Sequence, residues 1–234
     1  MNPLLSIVVP TLNEGAVIGS LLSALRPLRQ AGCEIIVSDG GSMDQTCDRA
    51  SEHCDRMISG TPGRAAQMNR GAAQARGRWL WFLHADTQLG HRPESLLGVF
   101  PPADGDWGFF NVCLDARGGR FRTIEWMMNR RARYSRIGTG DQGLFLRRSL
   151  FEQLGGFADI PLMEDIELSR RLRRLGPPRV MNGPLVTSAR RWQRHGVVRT
   201  VLLMWRLRLG YFLGVSPERL AEHYRLCSSP TRVS

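Results

Sequence analysis

The chain contains no lysine; all 32 of its basic residues are arginine, and against 21 Asp and Glu they leave a formal net charge of +11. A guanidinium group grips phosphate or carboxylate with two parallel N–H bonds, so an arginine-only basic set suits a pyrophosphate partner as well as a solvated basic face. Cysteine is scarce: Cys33, Cys47, Cys54, Cys113 and Cys227 are odd in number, scattered and never spaced as C-x-x-C. That argues against a disulfide framework and a zinc site, and the expectation is a reducing, cytoplasmic setting. Long apolar runs are also missing. The first is broken by Pro10, Asn13 and Glu14 and lacks a basic leader, which argues against export; residues 197–213 are punctured by Arg199, Arg206 and Arg208, which argues against a membrane span. No zinc finger, RNA-binding aromatic signature or basic stripe interleaved with aromatics is present, so nucleic acid is not an expected partner.

What the chain does contain is enough apolar residue to bury a sizeable core: 42% of 234 residues are hydrophobic and 23% charged. One α/β domain of ordinary size fits. Its charge is uneven, residues 1–116 carrying 9 basic and 12 acidic side chains (net −3) and residues 117–234 carrying 23 and 9 (net +14). An acidic first half thus faces a cationic second half.

The organising stretch is residues 79–87, Trp-Leu-Trp-Phe-Leu-His-Ala-Asp-Thr. Five apolar residues in a row read as a strand buried on both faces of a mainly parallel sheet, with Asp86 at its C-terminal tip. In open α/β sheets ligands bind beyond such tips. Before it, residues 5–10 form an apolar, β-branched first strand ended by Pro10, and Val17, Ile18, Leu21, Leu22 and Leu25 recur at helical spacing. Residues 34–39 make a second strand tipped by Asp39, with Ser42 as expected N-cap of the following helix. A short strand near residues 57–59 leads through Gly60, Pro62 and Gly63 to a helix starting at Arg64, whose guanidinium then faces the same crevice. Strand and helix alternate as in a Rossmann-like sheet.

These residues resemble glycosyltransferase family 2 with the GT-A fold: Pro10-Thr11-Leu12-Asn13-Glu14, then Val37-Ser38-Asp39-Gly40-Gly41-Ser42-x-Asp44-x-Thr46, then His84-Ala85-Asp86. The resemblance runs from about residue 5 to about residue 192. It implies a nucleoside-diphosphate sugar in a pocket lined by Pro10, Thr11, Leu12, Glu14, Asp39, Arg64, His84, Ala85 and Asp86, with Asp39 on the base or ribose. Asp86 matches the final Asp of the family's Asp-x-Asp motif and is the expected ligand of Mg2+ or Mn2+; His84 stands where the first Asp would be. A cation bridging both phosphates answers a physical need, since negative charge gathers on the departing diphosphate.

The second half holds the other constellation. Residues 105–115 read as a strand and 120–136 as a helix whose later turns carry Arg130, Arg131, Arg133 and Arg136. Gly138 to Gly143 form a polar loop, and Glu164 and Asp165 open a helix that stops at Gly176-Pro177-Pro178. In the family, a Gly-Gly-Phe segment followed by a Glu-Asp pair marks the acceptor side, so the resemblance implies Asp165 as general base and inversion at the anomeric carbon. Asp141, Gln142 and Glu164 would stand beside the hydroxyl acceptor. Residues 188–192 resemble a late family segment in which Arg191 and Trp192 close over donor and acceptor. His195 reads as a surface histidine, with metal ligation as its alternative. Division is expected into residues 1–192 (1–116 for the nucleotide sugar, 117–192 for the acceptor) and an amphipathic helical extension, 193–234. The extension has three candidate roles: packing on the core, pairing with a second copy, or lying on an anionic membrane surface. Its Leu-Gly-Val-Ser-Pro-Glu-Arg-Leu segment resembles a small bacterial subgroup of the family, some members of which are associated with arsenosugar biosynthesis. Two other classes fit the residues less well. A sugar-phosphate nucleotidyltransferase would want a Gly-rich loop and a Lys after the first strand, and a nonenzymatic polyanion binder would not explain acidic strand tips.

Overall fold

The structure is a computed structural model that describes residues 3–89, 105–189, 192–193 and 196–228. Seven strands, β1 (Leu5–Thr11), β2 (Glu34–Asp39), β3 (Arg56–Ser59), β4 (Trp79–Phe82), β5 (Trp107–Leu114), β6 (Phe145–Arg147) and β7 (Arg179–Thr187), form one sheet in the order β3-β2-β1-β4-β6-β5-β7. Only β6 runs antiparallel to its neighbours β4 and β5. The tips of β1, β2 and β4 therefore share one edge. Pro10 is tolerated in central β1 because pairing with β4 has already ended at Val8–Phe82.

Strand alternation splits the core in two. Leu5, Ile7, Val9, Ile35, Val37, Trp79 and Trp81 face helix α1 (Ile18–Gln30), whose Ile18, Leu21, Leu22, Leu25 and Leu28 pack on them. Val8, Ile36, Leu80 and Phe82 point the other way, onto Ala65, Met68 and Ala72 of α3 (Arg64–Ala73) and Leu168 and Leu172 of α6 (Glu164–Leu172). Between α1 and α3 lies the short α2 (Thr46–Ser51). Beyond β5 come α4 (Gly119–Ser135) and, after β6, α5 (Arg148–Gln153). Helices α7 (Val197–Phe212) and α8 (Pro217–Ser228) are anchored by Leu207 and Leu220, which join Met163 and Ile166 in a separate cluster. Among the described residues no helix is long and apolar enough to cross a membrane.

Three local expectations change. Ser42 does not cap a helix: α2 starts four residues later, and its first turn is tied by Asp44, whose carboxylate accepts the Thr46 N–H at 2.9 Å. Residues 179–181 and 185–187, which read from the sequence as two short strands, are one strand, with an irregular register opposite Phe110 and Val112. Strand β6 and helix α5 have no counterpart in the sequence reading, because three residues are too few to show a period. From the sequence, Arg92-Pro93-Glu94 reads as the start of a helix that ends at Phe100-Pro101-Pro102; it lies outside the described residues.

Candidate active site

The first two motifs are stitched to each other. Three consecutive backbone N–H groups, of Asn13, Glu14 and Gly15, donate to Ser42 Oγ (2.8 Å), Thr46 Oγ1 (2.8 Å) and Asp44 Oδ2 (3.0 Å). The Ser-x-Asp-x-Thr spacing thus presents three acceptors to one loop, and Asn13 Oδ1 returns the favour to the Met43 N–H at 2.9 Å. Asp39 holds the arrangement from beneath. It is 1% exposed, and its carboxylate accepts from Thr11 Oγ1 (3.0 Å), Ser42 Oγ (2.6 Å) and the N–H groups of Gly41 and Ser42 (2.8 Å each). Burial opposes its ionisation, but these hydrogen bonds outweigh burial and hold its pKa below the ordinary value. Asp39 is not among the residues that line the cavity described next, whereas Pro10, Thr11, Leu12 and Glu14 of the loop it helps to hold are.

A cavity of about 520 Å3 opens at the shared strand edge. Pro10, Thr11, Leu12, Glu14, Arg64, His84, Ala85 and Asp86 line it from the first half of the chain, and Asp141, Glu164 and Asp165 from the second. The two halves of the sequence meet here. Asp86 stands on the turn closed by the Thr87 N–H on His84 O, and a bridge between Gln88 and Val186 pins that turn to β7. Asp165 occupies the first turn of α6, where the helix dipole favours a carboxylate. Its Oδ2 accepts the Gly140 N–H and its Oδ1 the Ile166 N–H, both at 2.7 Å. Glycine is required at 140: a Cβ there would sit 2.5 Å from His84 Nε2. The His84 ring is thus wedged against the turn, Nδ1 3.5 Å from Asp141 Oδ1 and Nε2 buried without a hydrogen-bond partner.

A family model, "Glycosyl transferase family 2", matches residues 6–158. The chain belongs to this family. The family 2 chain is 30% identical over 171 residues to a PGL/p-HBAD biosynthesis glycosyltransferase of Mycobacterium tuberculosis, covering 66% of this chain and 63% of that protein. It is 31% identical over 203 residues to the probable glycosyltransferase YdaM of Bacillus subtilis, covering 74% of this chain and 47% of that one. It thus spans less than two thirds of the length of these curated relatives. Among solved structures it superposes on the mannosyltransferase PcManGT of Pyrobaculum calidifontis, in complex with GDP-Man and Mn2+, with a TM-score of 0.67 at 19% identity, over 97% of this chain and 70% of that one. S. aureus TarS in complex with UDP-GlcNAc gives 0.64 at 18%, over 79% and 58%. The fold is the GT-A fold.

The electrostatics of the family 2 site centre on Glu164, which is 2% exposed. Burial, then the adjacent Asp165, push its pKa above the ordinary 4.5, and Arg64, with Nη1 3.4 Å from Oε1, pulls the other way without prevailing. The folded protein therefore holds a proton on Glu164 that the unfolded chain has already released, and stability falls as pH rises through that interval. Glu164→Gln removes this dependence. The difference in melting temperature, variant minus parent, should grow in the variant's favour as pH rises above about 4.5; a difference that stays constant with pH in calorimetric scans would reject a raised Glu164 pKa.

Two arginines complete the charge. Burial, then mutual repulsion with Arg208, lowers Arg131 to about 9, and burial also lowers Arg208, while Asp165 and Asp141 hold both toward the charged form. Such a pair would be relieved by a ligand anion. Gln142 is fully buried: its Nε2 donates to Phe110 O at 3.3 Å and its Oε1 accepts the Thr139 N–H at 3.2 Å, so it shapes the turn. Arg191 and His195 lie outside the described residues, and Trp192 lines a neighbouring cavity instead. Gln67 escaped the sequence reading. It is buried on α3, and its Nε2 donates to Thr11 O (2.6 Å) and Ser38 O (3.0 Å), locking the tips of β1 and β2 together. A lone glutamine amid the alanines of α3 is its only sequence signal. Met204, Leu207, Arg208 and Tyr224 also reach the cavity, so the helical extension forms part of its wall.

Among the described residues, no group of three or more His, Cys, Asp or Glu side chains could hold a metal unaided. Asp86 nevertheless fits one role: its exposed carboxylate faces both cavities and offers the oxygen donor a hard cation takes, leaving other positions to ligand oxygens.

Proposed function

We propose that the chain is an inverting glycosyltransferase that moves a sugar from a nucleoside-diphosphate sugar to a hydroxyl acceptor. The observation that carries this is that Asp86 and Asp165, far apart in the sequence, line one cavity of about 520 Å3. Nucleotide and sugar would lie against Pro10 to Glu14 and Arg64. Asp86, together with donor phosphate oxygens, would hold a Mg2+ or Mn2+ ion, which when bound supplies positive charge to the departing diphosphate. Arg208 adds cationic charge from α7. The acceptor oxygen bonds to the anomeric carbon as the bond from that carbon to the diphosphate oxygen breaks. The electron pair leaves with the nucleoside diphosphate, and the hydroxyl proton passes to Asp165. Attack from the side opposite the leaving group inverts the anomeric centre. The complexes of PcManGT with GDP-Man and Mn2+ and of TarS with UDP-GlcNAc support this reading of donor and ion.

Helix α7 leaves Val198, Leu202, Trp205, Leu209 and Phe212 exposed, with Arg199 and Arg206 also exposed. That face supports peripheral seating on an anionic membrane surface, with a homodimer contact as the competing use.

Calorimetric titration tests the donor site. GDP or UDP should bind the parent more tightly with Mn2+ than without, and Asp86→Ala should lose that enhancement, a change of about 10- to 100-fold by analogy with the loss of groups that support metal binding. An undiminished Mn2+ effect in the variant would remove Asp86 from the ion site.

A further inference from the structure

A second cavity, of about 350 Å3, adjoins the first and shares Glu14, Asp86, Asp141, Met204 and Arg208 with it. Its own walls differ in kind. Ile124, Met127 and Met128 of α4 face Val201, Met204 and Trp205 of α7, and Trp192 closes one end. Its polar side is made by Thr187, Ser188, Thr200 and Arg131 together with the shared Glu14, Asp86, Asp141 and Arg208.

We infer that this chamber seats the acceptor, and that the acceptor is an alcohol or phenol on an apolar aryl or alkyl body rather than a free sugar. The inference rests on the glycosyltransfer reading above and specifies its second substrate. The chamber has the size of an ordinary small-molecule site, about 300 to 1,000 Å3. The stretch of wall built by Ile124, Met127, Met128, Val201 and Met204 offers no side-chain N–H or O–H partner, so a sugar hydroxyl turned toward it would be left unpaired at roughly 1–3 kcal/mol for each group. An apolar body loses nothing there and removes its own surface from water. Methionine side chains are polarisable and adapt to irregular or aromatic shapes, so three of them on two facing helices suit a flexible or flat ligand. The polar boundary sets the orientation. The acceptor hydroxyl reaches the first cavity past Asp141 and Arg208, and Asp165 takes its proton there. Met127 and Trp205 line the chamber yet are 38% and 62% exposed, so it opens beside the apolar face of α7 and a longer tail has a way out.

The test is a titration of the full chain, bound to GDP or UDP and Mn2+, with 4-pentylphenol and separately with glucose. The phenol should bind saturably at one site and glucose should not; Val201→Asp, which places a charge in the apolar wall, should weaken the phenol by about tenfold or more. Should that variant fail to melt cooperatively, Met127→Glu at a partly exposed position serves instead. Glucose binding without phenol binding overturns the inference, and so does phenol binding that neither substitution weakens, which would place it on the outer face of α7. Nucleotide binding with no phenol binding sinks the inference and leaves the transfer reading standing. Absence of binding by any nucleoside diphosphate sinks the transfer reading, and phenol binding would then no longer mark an acceptor.

Discussion

Asp165→Asn should leave affinity for the nucleoside diphosphate and Mn2+ within about twofold of the parent while the transfer rate falls by about 10²- to 10⁴-fold, the usual contribution of a positioned base. The asymmetry follows from the geometry. Both carboxylate oxygens already accept a backbone N–H, from Gly140 and from Ile166, yet each keeps a second lone pair for an incoming hydroxyl. The backbone bonds fix the orientation, and the free lone pairs do the chemistry. Asparagine preserves volume and one of the two backbone contacts but cannot take a proton. The loss should therefore appear in kcat, with little change in the donor KM, since the missing interaction is made only as the bond forms. A variant that keeps its kcat would strip Asp165 of the role. One that raises the donor KM alone would make it a positioning group for the sugar.

That Asp86 and Asp165 face one cavity was legible before the fold was known. In a parallel sheet successive strand tips share an edge, which places Asp86, while Asp165 follows from the resemblance to the family, the period of its helix showing only that it lies in the first turn. What period cannot show is the direction a polar side chain takes at a tip. Asp39 ends β2 whereas Asp86 lies in a turn four residues beyond the end of β4, and the Gly40-Gly41 turn folds two N–H groups back onto Asp39 while the Ala85-Asp86 turn leaves Asp86 exposed. Gln142 turns inward for a similar reason, to satisfy Phe110 O and the Thr139 N–H inside the sheet. The share of the wall built by α7 and α8 was hidden differently. A helix with apolar residues on several sides gives no hint of which side is taken, and only Leu207 and Thr200 of α7 end up fully buried.

If Asp39 is a keystone rather than a contact to the base, Asp39→Ala should destabilise the whole protein. Removal strands two backbone N–H groups and leaves two hydroxyls to find new acceptors, which at roughly 1–3 kcal/mol for an unsatisfied buried group sums to about 3–5 kcal/mol. For a chain of this size that corresponds to a melting temperature lower by about 10 °C. The effect has a pH signature. Because the folded-state pKa of Asp39 is depressed, its stabilisation is fully present above the unfolded value of about 3.8 and is lost as pH falls through the folded one. Parent and variant should therefore differ by the full amount at neutral pH, and the difference should shrink only below about pH 4. Nucleotide affinity should fall as well, since Ser42, now without its acceptor, also orients the Asn13 N–H at the start of the lining loop. Calorimetric scans paired with GDP and UDP titrations separate the two accounts: a variant as stable as the parent that no longer binds nucleotide would return Asp39 to the base or ribose and withdraw the structural role argued for it.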